Sequence, residues 1–126
     1  MSEFRVIIAA GRSPEEYEVL CPFADRKLAR VSREMNVVVL SDVITGVQRA
    51  GECYARERGY QIQRYISNRD RYGTAGADHQ RDLEMIADAD ALIAVWKGRD
   101  KRIQDLIHYA KGRGLKVAEK LLVDEN

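Results

Sequence analysis

The sequence predicts an α/β fold: a Rossmann-like, three-layer parallel sheet of about five strands with helices on both faces. Three observations predict it. Short apolar runs rich in β-branched residues recur at Arg5–Ala10, Asn36–Ser41 and Ala91–Trp96, and such runs mark strands buried on both faces. Between them lie segments whose apolar residues repeat every three to four positions, the period of a helix with one buried face. The chain of 126 residues suits a single core, so 1–126 is read as one domain.

The elements follow in order. The first strand, Arg5–Ala10, stops at Gly11. Ser13, Pro14 and Glu16 then stand at N-cap, N1 and N3 of a helix, which satisfies both the capping-box and the N1-proline patterns. Its apolar stripe runs through Tyr17, Leu20, Cys21, Ala24, Leu28 and Val31, with a kink expected at Pro22, where proline removes an internal hydrogen bond. Asn36–Ser41 is the second strand. Val47, Ala50, Gly51 and Tyr54 carry helical spacing up to a stop at Gly59, and 60–66 reads as a third strand. A polar loop, 67–76, precedes a short helix with Leu83, Ile86 and Ala87. Ala91–Trp96 is the fourth strand. Ile103, Leu106, Ile107 and Ala110 mark a last helix, stopped by Gly112 and Gly114, before a fifth strand at 115–118. Strands alternating with helices imply right-handed crossovers and a parallel sheet.

Composition excludes several classes. Apolar residues make up 45% and charged residues 33% of the chain, ordinary globular values without a low-complexity stretch. The longest apolar runs fall far short of a membrane span, and the first residues lack a signal-peptide pattern. A cytosolic location and no membrane partner are therefore expected. Cys21 and Cys53 form no close pair and read as buried free thiols. His79 and His108 are isolated, so no metal is expected, and no cofactor. A net charge of +1, with aromatics inside periodic elements, argues against nucleic acid. Exposed edges of a small sheet favour a homo-oligomer.

Ligands of such sheets bind beyond the carboxyl ends of the strands, here the loops 11–13, 41–46, 67–76 and 97–102. These loops hold seven basic side chains (Arg12, Arg69, Arg71, Lys97, Arg99, Lys101, Arg102) against Asp42, Asp70 and Asp100, a net of +4. The rest of the chain sums to −3, so positive charge is segregated toward the ligand edge, as an anion site requires.

At these positions the chain resembles a family. The stretch Arg5 to Arg12, Ser41 with Gly46, the run Gly51 to Gly59, Asp70-Arg71-Tyr72-Gly73, and Ala89 to Trp96 with Gly98 are similar to the short, YspA-like branch of the SLOG superfamily, over roughly residues 4 to 118. The resemblance implies a Rossmann-like domain that binds nucleotides or nucleotide-derived signals. Some relatives are phosphoribohydrolases, others DNA-processing proteins, and several are sensors in antiviral systems. The chain departs from the pattern at its phosphate loops. Ala10-Gly11-Arg12 replaces Gly-Ser-Arg, and Ser41-Asp42-Val43-Ile44-Thr45-Gly46-Val47-Gln48 replaces Ser-Gly-Gly-Ala-x-Gly-Ala-Asp. Paired glycines serve phosphate by letting backbone N–H groups approach it, so Asp42 reads as a charge of the wrong sign. Asp100-Lys101-Arg102-Ile103 replaces Ser-x-Gly-Thr. Where the related deoxyribosyltransferases carry a nucleophilic Glu, this chain has Leu106, which cannot form a glycosyl ester.

The expected function is a non-catalytic binding module for an anionic, nucleotide-derived small molecule. Arg12 and the basic loop Lys97, Gly98, Lys101, Arg102 hold the anion, and Gly11, Ser41, Asp42, Thr45 and Gly46 supply the surrounding loops. Arg71 and Tyr72 form a lid, otherwise a turn closed by Gly73 with an aromatic anchor. Trp96 is read first as core and second as a stacking platform. Asp90 reads as a turn or helix-end residue, Glu52 and Glu57 as a solvated face, and His79 as the one titrating group near the third loop. Two alternatives stand beside this reading. One is a nucleotide N-glycosidase, phosphoribohydrolase or deoxyribosyltransferase-like enzyme, for which Asp42, Asp70 and Asp100 are the candidate carboxylates. The other is a protein-interaction scaffold or inhibitor that has lost its ligand.

Overall fold

The computed structural model describes residues 2–42, 49–66 and 69–122, except the side chains at 69–72, 74 and 75. The described residues form strands β1 (Glu3–Ala10), β2 (Asn36–Ser41), β3 (Gln61–Arg64), β4 (Ala91–Trp96) and β5 (Lys116–Leu121). The helices are α1 (Pro14–Leu28), α2 (Val31–Glu34), α3 (Arg49–Arg58), α4 (Arg69–Asp88) and α5 (Lys101–Gly112). All strands are parallel, as the apolar runs and alternating periods predict, and their order in the sheet is β3-β2-β1-β4-β5.

Alternation along the strands divides the core in two. Val6, Ile8 and Ala10 of β1, with Val37, Val39, Ile93 and Val95, pack against Leu20, Phe23 and Ala24 of α1 and Tyr54 and Ala55 of α3. Ile7 and Ala9, with Val38, Leu40, Leu92, Ala94 and Trp96, pack against Met85 and Ile86 of α4 and Ile103, Leu106, Ile107 and Ala110 of α5. Both faces of β1 and β4 are thus covered, and these strands read as continuous apolar runs for that reason. The chain winds from β1 outward through β2 to β3, then returns to place β4 on the other side of β1. The direction reverses between β1 and β4, which leaves a crevice beyond their carboxyl ends.

Helix α1 begins as its sequence predicts. Ser13 is the N-cap with Pro14 at N1, the Glu16 N–H donates to Ser13 Oγ at 3.3 Å, and Ser13 Oγ donates to Glu16 Oε1 at 2.8 Å. Ser13→Ala is expected to cost about 1 kcal/mol, read as a lower urea midpoint; an unchanged midpoint would contradict the cap. The helix runs past the exposed Pro22 and ends at Leu28, so Val31 belongs to α2 and not to the α1 stripe. Cys21 and Cys53 are free thiols, half-buried rather than buried.

Several boundaries differ from expectation: β1 starts at Glu3 rather than Arg5, and β5 runs Lys116–Leu121 rather than 115–118. The third strand covers Gln61–Arg64 only, because the Tyr60 N–H is used to close α3 on the Ala55 carbonyl at 2.9 Å. Chain 69–76, expected as loop, is helical on either side of Gly73, whose φ of 73° and ψ of 174° break the helix. Glycine enters that region without the steric penalty of other residues, so two helical segments join there at a kink. Val47 lies outside the described residues.

Candidate functional site

At the strand reversal the crevice is bridged. The Gly11 N–H donates to the Val95 carbonyl at 3.1 Å, which carries the β1–β4 pairing past Ala10. Above it Lys97, just past β4, lies 3.2 Å from Glu15 in the first turn of α1. Trp96 is 8% exposed in the core and donates from Nε1 to Glu119 Oε2 at 2.6 Å. It is therefore a core residue anchored to β5, the first of its two sequence readings. Gly98 is exposed beyond it.

On the α4/α5 side the loop after β2 begins with an ionic cluster. Asp42 and Arg81 are each 1% exposed. Arg81 Nη2 lies 3.4 Å from Asp42 Oδ2 and 3.1 Å from Asp82 Oδ1, and Arg81 Nη1 lies 3.3 Å from Asp78. Arg102, on the first turn of α5, donates to both Asp42 and Asp82. Burial alone would lower the Arg102 pKa, but the bonds and charges of Asp82 and Asp42 outweigh it and hold the guanidinium above its ordinary value. This corrects the reading of Asp42. Its carboxylate is not a charge facing a phosphate; it is enclosed and neutralised by two arginines. Arg102 likewise spends its charge inside the protein.

Ser41 and Glu52 form a second internal set. Glu52, read as solvated, is 6% exposed and accepts from Arg64 Nη2 at 2.9 Å and Arg56 Nη2 at 3.3 Å. Arg64 first, then Ser41, hold its carboxyl below the usual range against the effect of burial. Ser41 is buried beneath that pair.

The open concave surface lies on the other face, between α1 and α3. A cleft of about 640 Å³ is lined by the loop from Gly11 to Pro14, by Tyr17, and by Arg49, Ala50, Cys53 and Glu57. On α3, Arg49, Cys53 and Glu57 are spaced i, i+4, i+8 and so share one helix face. The Tyr17 hydroxyl donates to Glu57 Oε1 at 2.9 Å; burial first, then Glu57, push its pKa far above the ordinary phenol value. Farther along the same two helices, Arg58 binds Asp25 with two contacts of 2.9 Å, covers the Tyr54 ring at 4.7 Å, and shares Asp25 with the Tyr54 hydroxyl at 2.6 Å. These contacts fix the spacing of the two walls. Arg12 and Arg49 are exposed at the mouth, and among the described residues neither forms a hydrogen bond or an ion pair.

The sequence-predicted positions therefore separate. Gly11 and Arg12 line the cleft. Gly11 also makes room: a Cβ there would fall 1.5 Å from Glu16 Oε2, the buried carboxylate that Ser13 holds. Ser41, Asp42 and Arg102 are tied into internal networks, while Lys101 is 85% exposed and lies 3.6 Å from Asp105. Thr45 and Gly46 lie outside the described residues, as do the side chains of Asp70, Arg71 and Tyr72. Asp100 caps α5, accepting from the Arg102 and Ile103 N–H groups at 2.9 and 3.3 Å. Asp90 accepts from the Arg5 N–H at 2.8 Å, a structural role as read. His79 stacks edge-on against Tyr109 at 5.2 Å. Sequence reasoning missed Arg81 and Arg49. Arg81 was detectable, because Ala77, Arg81 and Met85 fall on one i, i+4, i+8 row in which its neighbours are apolar; all of them are buried.

The fold and the crevice define a Rossmann-like α/β domain. No protein-family model matches the chain, nor does any curated protein or solved structure.

Proposed function

We propose that this chain is a non-catalytic, SLOG-like binding module for an anionic, nucleotide-derived small molecule, with its anion held in the α1/α3 cleft rather than at the loop after β2. One observation carries the reading: Arg12 and Arg49, without partners among the described residues, face a cleft at the first turn of α1. A volume of about 640 Å³ suits a small ligand, guanidinium groups favour phosphate and carboxylate, and the positive end of the α1 dipole favours negative charge. The enzyme alternative loses two of its carboxylates, since Asp42 is neutralised and Asp100 is a cap. A cytosolic, homo-oligomeric protein goes with this proposal, because β3 and β5 are sheet edges. None of the described helices is long and apolar enough to cross a membrane.

Calorimetric titration of AMP, ADP and ADP-ribose tests it. Arg12→Ala and Arg49→Ala are each expected to weaken binding about tenfold, corresponding to roughly 1.5 kcal/mol for a charge-assisted hydrogen bond. Added salt should act in the same direction by screening exposed charge. Lys101→Ala, outside the cleft, is the surface-charge control. A scaffold or inhibitor is the second reading, favoured by the internal commitment of Lys97 and Arg102. It predicts no nucleotide affinity in any of these proteins.

A further inference from the structure

The parallel sheet ends in two open edges, β3 and β5, and their residues suit a second copy of this chain unequally. Beyond β3 the Tyr65 N–H donates to the Ser41 carbonyl at 2.8 Å. By alternation the backbone N–H and C=O groups of Ile62, Arg64 and Ile66 point away from β2, toward the open edge. Ile66 is 83% exposed, the most exposed large apolar side chain among the described residues. Open backbone groups beside an uncovered isoleucine invite another strand. Joining two like edges into one sheet takes a two-fold axis normal to the sheet, with the paired strands antiparallel. That axis keeps the α3 side of one copy level with the α3 side of the other, so residues that come opposite each other are both even-numbered or both odd-numbered.

Charge then sorts the registers, since like charges directly opposite repel. On β5, centring the pairing on Lys116, Glu119 or Lys120 sets that residue against itself, and centring on Ala118 sets Lys116 against Lys120. Centring on Val117 or Leu121 carries half or more of β5 past the end of its copy. On β3, centring on Arg64 sets arginine against itself, and centring on Gln61 sets it against Arg58. Centring on Ile62 leaves Ile66 opposite Arg58, inside α3. The register centred on Gln63 is free of these faults: it sets Ile62 against Arg64, Gln61 against Tyr65, and Ile66 against Tyr60. Arg64 enters already paired with Glu52 at 2.9 Å, so its charge is compensated within its own chain. We infer that the chain is a homodimer whose β3 edges pair antiparallel about Gln63, with Ile66 of each copy covered by Tyr60 of the other. The inference rests on the homo-oligomeric reading above and commits it to one edge and one register.

Sedimentation of the full chain over a range of concentrations tests it. Wild type is expected to be a dimer. Gln63 lies on the axis and faces itself, so Gln63→Lys and Gln63→Glu should each weaken the dimer at least about tenfold by setting like charges across the contact. An equimolar mixture of the two variants should restore it, because lysine then faces glutamate. Restoration also shows that neither variant failed by unfolding. Ile66→Lys should weaken the dimer too, whereas Leu121→Lys, on the β5 edge, should leave it unchanged. A dimer that survives the Gln63 and Ile66 substitutions and is lost in Leu121→Lys overturns the β3 edge and leaves the oligomeric reading standing. Loss in both Gln63 variants without restoration in the mixture overturns the register. A wild type that is monomeric at every concentration overturns the inference and the oligomeric reading together.

Discussion

Asp42→Ala is expected to destabilise the protein by about 3 to 5 kcal/mol, the cost of breaking a buried ion pair by removing one partner. The carboxylate is enclosed with Arg81, whose side chain is 0% exposed, and with Arg102, whose side chain is 19% exposed. Truncation leaves Arg81 beside Asp78 and Asp82, and Arg102 beside Asp82, with one carboxylate fewer to balance two guanidinium groups. Arg102 is already the less satisfied, because its Nε is buried without a hydrogen-bond partner among the described residues. Against a typical total stability of about 5 to 15 kcal/mol, such a loss is large, and urea unfolding measures it through the midpoint at constant slope. Asp42→Asn separates charge from shape: it retains the acceptor oxygen and should cost less than alanine. A loss below about 1 kcal/mol for Asp42→Ala would mean that the cluster does not form. The same geometry reverses a functional expectation. A glycine at 42, which the family-like loop suggests would favour phosphate, should instead unfold or loosen the chain, since it strands the arginines and adds unfolded-state entropy.

That reversal marks the limit of what the sequence discloses. Strand β2 and strand β4 are legible to the residue, because burial on both faces leaves an apolar run with polar residues at its ends. Helix α1 is legible at its start because Ser13, Pro14 and Glu16 act locally. The helical turn before Gly73 is not, since a polar, charged segment with no apolar period gives no local sign of helix. At the site, Arg12 was legible as the residue following a central strand. Arg102 and Asp42 were legible as charges at the ligand edge but not as partners, because they lie 60 residues apart and meet only once α5, packed on β4 and β5, brings its first turn to the residue that follows β2. Glu52 misled for the same reason. Its helix position suggests solvent, whereas Arg64 from the adjacent strand end covers it.

Gly51→Ala and Gly51→Val are expected to destabilise the fold by about 1 to 3 kcal/mol and by more than that, respectively, from overpacking. An added Cβ at 51 would stand 2.6 Å from the Ile8 carbonyl oxygen and 3.0 Å from Ile8 Cβ. Ile8 is fully buried in β1, paired on both sides by β2 and β4, so the strand cannot retreat and α3 must move outward. The intrinsic gain of alanine over glycine in a helix, about 1 kcal/mol, is too small to offset a backbone clash. Gly112→Ala supplies the contrast: a Cβ there meets nothing within 4 Å, so the same chemical change should be neutral or stabilise by up to about 1 kcal/mol. The consequence for binding is specific. Helix α3 carries Arg49, Cys53 and Glu57 along the cleft, and a displaced α3 moves all of them away from Arg12 and Tyr17. Gly51→Ala, checked for folding by circular dichroism, is therefore expected to weaken phosphate binding although residue 51 does not line the cleft. A Gly51→Ala protein as stable as wild type, with undiminished affinity, would show that α3 is not seated on β1 at this distance.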